Sequence, residues 1–87
     1  MKSIYTEQYR ILIQLLVEKR NESGLTQQAL SKRLGKPQSY VSKYENGERR
    51  LDVIEFLTIA KALKADPCDV IRKMEQSLPS TNNERKV

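Results

Sequence analysis

The sequence predicts an all-α fold, a compact domain of five short helices, and three observations carry that expectation. Apolar residues recur at helical spacing through most of the chain, and nowhere do they alternate with the period of two that a half-buried strand requires. Glycines and capping residues interrupt the pattern at Gly24–Thr26, Gly35–Pro37, Gly47–Asp52 and Asp66–Pro67. With 87 residues, 38% of them hydrophobic, the chain has material for one modest core.

The elements follow in order. Residues 3–23 form the first helix, with Ile4, Tyr5, Tyr9, Leu12 and Leu16 along one side and Ile11, Ile13, Leu15 and Val17 widening the stripe. Its front, Ile4 to Tyr9, either covers the domain's own core or packs on a partner subunit. Ser23-Gly24 ends it, glycine being suited to a left-handed cap. Thr26 is placed to cap a second helix that turns Ala29, Leu30 and Leu34 inward and stops at Gly35. Pro37 sits at the mouth of a third helix, where a missing N–H costs nothing, and that helix runs to Asn46 with Gly47 beyond. Asp52 caps a fourth helix, "DVIEFLTIAKAL", expected to bury Val53, Phe56, Leu57, Ala60 and Leu63. Asp66-Pro67 opens a fifth, expected to bury Val70, Ile71 and Met74. The closing "PSTNNERKV", residues 79–87, has the composition of a disordered polar tail, which leaves residues 1–78 as the domain.

Composition excludes several classes of function. There is no histidine, and the single cysteine, Cys68, permits neither an internal disulfide nor a zinc set, so no metal or cofactor is expected. Cys68 itself reads as a small buried or half-exposed residue rather than a redox switch. No Gly-rich phosphate loop, HExxH or nucleophile-and-base pair occurs. A chain this short cannot both build a core and enclose a substrate pocket, so neither an enzyme nor a small-molecule receptor is expected. No apolar run approaches the roughly 18 residues of a membrane span, and "MKSIYTEQYR" lacks the shape of a signal peptide. A soluble cytoplasmic protein is the expectation.

The net charge of +5 is unevenly spread. Residues 1–25 carry +1, residues 26–50 carry +4, and residues 51–87 are neutral. A local excess of that sign suits a polyanion, nucleic acid foremost, or a lysine-rich solubilising surface. The pattern within the segment favours the first. Only three residues join the second and third helices, which forces the sharp crossing of a helix-turn-helix. On the third helix Val41 and Tyr44 face inward with Tyr40 beside them, while Gln38, Ser39, Ser42 and Lys43 share the opposite face, free of acid. A glutamine amide can pair with N6 and N7 of adenine, a lysine with O6 and N7 of guanine, and a serine with base edges or phosphates. A major groove about 12 Å wide admits such a helix.

The segment resembles the helix-turn-helix of the phage repressor and Cro-like family of bacterial transcription regulators. The resemblance spans about residues 11–75. It rests on Arg20 followed by "LTQ" and Leu30, the turn glycine Gly35, "VSKYENGER" from Val41 to Arg49, and "LTIAKAL" from Leu57 to Leu63. It implies a lambda-repressor-like five-helix domain whose third helix enters the major groove of double-stranded DNA, with a homodimer on a pseudo-palindromic operator. It further implies that Gln38, Ser39, Ser42 and Lys43 read bases. Gln27 would contact a phosphate and brace the first residue of the reading helix, Asn46 would contact phosphate after it, and Arg49 and Arg50 would extend that contact with charge. Arg20 and Glu45 would form an ion pair tying the first helix to the third.

The chain also departs from the family pattern. Ser31 stands in place of the usual alanine. Lys36 replaces a commonly apolar turn residue and would add a phosphate contact. Pro37 replaces a frequent capping Ser or Thr, and Tyr44 replaces Ile or Leu. The leading function is thus a sequence-specific transcriptional regulator, a repressor or autoregulator. The alternatives are an antitoxin or adaptor that uses the same fold to bind a protein, and a non-specific nucleoid-type binder.

Overall fold

A helix begins most readily where a side chain can satisfy a backbone N–H that the first turn leaves free. The computed structural model describes residues 6–78 and contains α1 (Thr6–Glu22), α2 (Gln27–Leu34), α3 (Ser39–Glu45), α4 (Val53–Ala62) and α5 (Pro67–Ser77). Ahead of α2 the Thr26 hydroxyl accepts from the Ala29 N–H at 3.0 Å; ahead of α5 Asp66 accepts from the Cys68 N–H at 2.9 Å. At α4 the arrangement is reciprocal: Asp52 accepts from the Glu55 N–H at 2.7 Å, while the Asp52 N–H donates to the Glu55 carboxylate at 2.9 Å. α3 is shorter than its sequence pattern suggests, ending at Glu45 with Asn46 as its cap.

The tight α2–α3 turn depends on Gly35, whose φ of 69° lies in the left-handed region that a side chain disfavours. Its N–H reaches the Lys32 carbonyl at 3.0 Å, and the Lys36 N–H returns to the Ser31 carbonyl at 2.9 Å. After α4 the same task falls to a non-glycine residue, Lys64, at φ 59°.

The core joins all five helices. Leu16 of α1, Leu30 of α2, Val41 and Tyr44 of α3, Ile59 and Ala60 of α4 and Val70 of α5 are buried together, with Ile13, Tyr40, Phe56 and Leu63 completing the cluster. Surface ties reinforce the packing. Lys19 of α1 pairs with Asp69 of α5 at 3.3 Å, and Arg33 of α2 donates to the Ala62 carbonyl at the end of α4 at 2.8 Å.

Three residues expected in the core lie outside it. Val53 is 69% exposed, Leu57 41% and Ile71 52%, and Ile59 holds the central place on α4. α4 is apolar on nearly every side (Val53, Ile54, Phe56, Leu57, Ile59), so spacing alone could not choose its inner face. The choice falls to its neighbours, and α2 and α5 meet the side bearing Phe56, Ile59, Ala60 and Leu63. On α5, Val70 takes the core position, which turns its chain neighbour Ile71 outward, while Met74 is half-buried. Ile4, Tyr5 and the expected tail of residues 79–87 lie outside the described residues.

Tyr44 fills the centre of the core with its ring edge-on to Tyr40, the centroids 5.8 Å apart. Its buried hydroxyl has no hydrogen-bond partner among the described residues, and burial pushes the phenol well above the ordinary tyrosine range, so it stays protonated. Since an unsatisfied buried hydroxyl is a net cost, Tyr44→Phe is expected to raise stability by up to about 1 kcal/mol. A higher urea midpoint at unchanged m-value would register the gain, and a lower midpoint would refute it.

Candidate nucleic-acid interface

Three helices converge on one carboxylate. Glu45, at the end of α3, receives the Arg20 Nε–H at 2.8 Å and the Arg20 Nη2–H at 3.0 Å, a two-pronged ion pair from α1. Arg20 also donates to the Leu25 carbonyl at 2.9 Å, just before α2. From α2, the Gln27 amide donates to the same carboxylate at 2.7 Å. The Glu45 side chain is only 6% exposed, and its bond holds the Arg20 guanidinium proton more firmly than usual. The brace from Gln27 therefore falls on the last residue of α3, not the first. The nearby anion is a stronger acceptor for the amide than the neutral Gln38, whose side chain makes no hydrogen bond among the described residues.

The start of α3 is held differently. Gln38, in the N-cap position, is already helical and makes no side-chain cap bond, as the loss of a capping Ser or Thr to Pro37 implies. One N–H of the first turn belongs to Val41, and Ser31 of α2 accepts it at 3.2 Å while donating its own proton to the Gln38 carbonyl at 3.2 Å. Ser31 is completely buried. Its hydroxyl acts as the cap of α3 from a neighbouring helix, and both of its hydrogen-bonding roles are used.

The side of α3 away from the core carries the residues expected to face DNA. Gln38, Ser39 and Lys43 are exposed; Ser42 is half-buried, its hydroxyl bonded to the Ser39 carbonyl at 3.1 Å. Gln38, Ser39 and Ser42 share a polar concavity with Thr26, Gln27 and Gln28 of the α2 start, above Arg20. Gln28 carries an exposed amide into this surface and was not singled out from sequence, where it reads as one more solvated glutamine. Of the acids in residues 26–50, Glu45 is withdrawn to Arg20 and Gln27, and Glu48 is exposed in the loop beyond the helix.

The cations around this face differ in setting. Lys36 lies 5.3 Å from the Tyr40 ring centroid, and the Arg49 guanidinium 5.1 Å from the same ring. Arg49 is also ion-paired with Glu55 of α4 and donates to the Arg50 carbonyl at 3.0 Å. Arg50 stacks on the Tyr9 ring at 4.2 Å, and the Tyr9 hydroxyl accepts from the Leu51 N–H at 3.0 Å. Tyr9 thus anchors the loop after α3 to α1, and Glu55 anchors it to α4. Asn46 is exposed at the cap. The part played by Glu55 had a sequence signal, the Asp52-x-x-Glu55 spacing of a capping box; that of Tyr9 had none beyond its place in an apolar stripe.

Because Ser31 supplies the missing cap of α3, Ser31→Ala is expected to cost about 1–2 kcal/mol of unfolding free energy, well above the ordinary effect of so small a truncation. Chemical denaturation would measure it. Amide exchange should quicken most at Val41, and uniform quickening would argue against the capping role.

The profile of helix-turn-helix proteins matches residues 16–70 of the chain. Among solved structures, the chain is similar to the XRE-family like protein from Pseudomonas syringae pv. tomato str. DC3000, with 47% identity and a TM-score of 0.82 over 87% of this chain and 95% of that one. It is also similar to the restriction-modification controller protein C.AhdI from Aeromonas hydrophila, with 32% identity and a TM-score of 0.65 over 76% of this chain and 98% of that one. No curated protein matches the chain.

Proposed function

The chain belongs to the XRE/Cro-like helix-turn-helix family of bacterial transcriptional regulators, DNA-binding proteins without catalytic activity, and we propose that it represses transcription by reading a pseudo-palindromic operator as a homodimer. The observation that carries this reading is the outward face of α3. Gln38, Ser39, Ser42 and Lys43 form an acid-free row of donors and acceptors on a helix whose two ends are fastened, by Ser31 at the start and by Arg20 and Gln27 at the close. Fixed in this way, Gln38 and Lys43 reach base edges in the major groove while Ser39 and Ser42 contact bases or the flanking backbone. Gln27, Lys36, Asn46, Arg49 and Arg50 hold phosphates and set the register.

Two half-sites about one turn apart, roughly 34–36 Å, require two copies of α3. Val53 and Ile54, each 69% exposed, and Leu57, 41% exposed, form an apolar patch on the side of α4 turned away from the core. A second copy of the chain is the occupant we assign to this patch, since α4 follows directly on the phosphate-contacting loop. The similarity to a restriction-modification controller protein supports a regulatory role. Among the described residues no helix is long and apolar enough to cross a membrane, which accords with a cytoplasmic protein working on the nucleoid.

Selection of bound duplexes from a random pool should enrich a two-fold symmetric motif; enrichment of none at physiological salt would refute operator reading. On the selected site, Lys43→Ala should cost about 1–3 kcal/mol and relax preference at one base position per half-site. Arg49→Ala should instead weaken all duplexes alike and flatten the salt dependence by about 0.9 in slope. For the dimer, Ile54→Asp should shift light-scattering mass from dimer to monomer and reduce operator binding to that of a single half-site. An unchanged dimer would place the interface elsewhere.

A further inference from the structure

The Glu55 carboxylate is engaged by three groups at once. One carboxylate oxygen accepts from the Asp52 N–H at 2.9 Å as half of the α4 capping box. The other accepts from the Tyr40 hydroxyl at 3.3 Å and from the Arg49 guanidinium, which also rests 5.1 Å from the Tyr40 ring. The capping bond fixes the carboxylate in place, so Arg49 comes to Glu55 rather than the reverse. The Arg49 side chain keeps 40% of its surface exposed, against 21% for Glu55, so the anion lies deeper and the cation stands at its outer edge. A carboxylate and a phosphate offer an arginine the same two-oxygen edge. The fold has thus built an anionic seat for a cation in the loop directly after the reading helix.

We propose that Glu55 holds Arg49 in the free protein as a phosphate would hold it on DNA, and so lowers affinity for DNA of non-target sequence. This rests on the DNA-binding reading above. Arg49 reaches the backbone only by leaving Glu55, and the loss of that ion pair offsets part of what the phosphate contact contributes. Such an exchange taxes every duplex equally. A well-matched operator, held also through base contacts on α3, tolerates the tax, whereas non-target DNA held by phosphate contacts alone does not. Glu55 is then a positioning residue for binding: without touching DNA it lowers affinity for all duplexes alike, and so keeps occupancy of weakly held non-target DNA low.

The test is a double-mutant cycle. Glu55→Gln keeps an oxygen for the Asp52 N–H and removes the charge. Wild type, Glu55→Gln, Arg49→Ala and the double variant are titrated onto a random-sequence duplex across a salt series. Glu55→Gln should tighten binding by about two- to fivefold, the range of a half-exposed ion pair, and the gain should vanish in the Arg49→Ala background. An equal gain in both backgrounds would mean that Glu55 acts as a general negative charge, and would overturn the proposal. Unchanged or weaker binding by Glu55→Gln would overturn it too, showing that Glu55 presents Arg49 to DNA instead of withholding it. A wild type that binds no duplex even at low salt would remove the DNA-binding reading and this inference with it. A readout independent of the variant's folding is the 13Cδ shift of Glu55 in the wild type. It should move toward that of an unpaired carboxylate when duplex is added, and a constant shift would overturn the proposal.

Discussion

The geometry of the interface depends on one nearly buried carboxylate, Glu45. A carboxylate with 6% of its surface exposed cannot remain charged without compensation, and the compensation comes from two other helices, Arg20 of α1 and Gln27 of α2. Because Arg20 approaches with two parallel bonds, the angle between α1 and α3 is constrained as well as their distance. The third Arg20 bond, to the Leu25 carbonyl, places the entry to α2 on the same anchor. A buried ion pair of this kind is poor as a source of stability, since desolvation consumes most of its attraction. It is effective as a constraint, since any other arrangement strands a charge. The apolar core supplies cohesion; Glu45 decides which way the outward side of α3 faces.

The two ends of α3 illustrate different solutions to one problem. A helix of seven residues has little intrinsic stability, and almost all its order must come from its surroundings. At its close the surroundings are charged and bidentate; at its start they are a single neutral hydroxyl, Ser31, at the crossing with α2. The loop that follows is tied down a third way, by tyrosine rings. Tyr40 lies close to Lys36 and Arg49, and Tyr9 carries Arg50. A ring restrains a guanidinium from one face, and at Arg49 this contact adds to the bonds it makes to Glu55 and to the Arg50 carbonyl.

Much of the fold was legible because helix boundaries are local chemistry. Thr26, Asp52 and Asp66 bond to N–H groups two or three residues away, and Gly35 adopts its conformation because of its own missing side chain; no knowledge of the tertiary structure is needed for any of them. The inner face of α4 was not legible, because Val53, Ile54, Phe56, Leu57 and Ile59 surround the helix and only the packing of α2 and α5 breaks the tie. The outward row on α3 could be read from spacing. The partners of its cations could not, since Arg49 meets Glu55 and Arg50 meets Tyr9 through loop geometry that no periodicity encodes. Ser31 was visible only as a departure from pattern, and its compensating relation to Pro37 needed the crossing of two helices to appear.

The serine at that crossing has a bearing on how such a protein diversifies. Gln38, Ser39 and Lys43 have side chains that take no part in holding the fold, so they are free to vary without structural penalty. The helix that bears them is not a portable cassette, because its N-terminal cap resides in α2. On the proposed reading of α3, drift in DNA preference can therefore proceed one outward side chain at a time on a fixed chassis. Exchange of the whole reading helix between relatives, by recombination or by design, must carry residue 31 along with it or deliver a helix with a frayed first turn. The unit of inheritance for specificity in this chain is the crossed pair of helices, and the single helix is only its variable part.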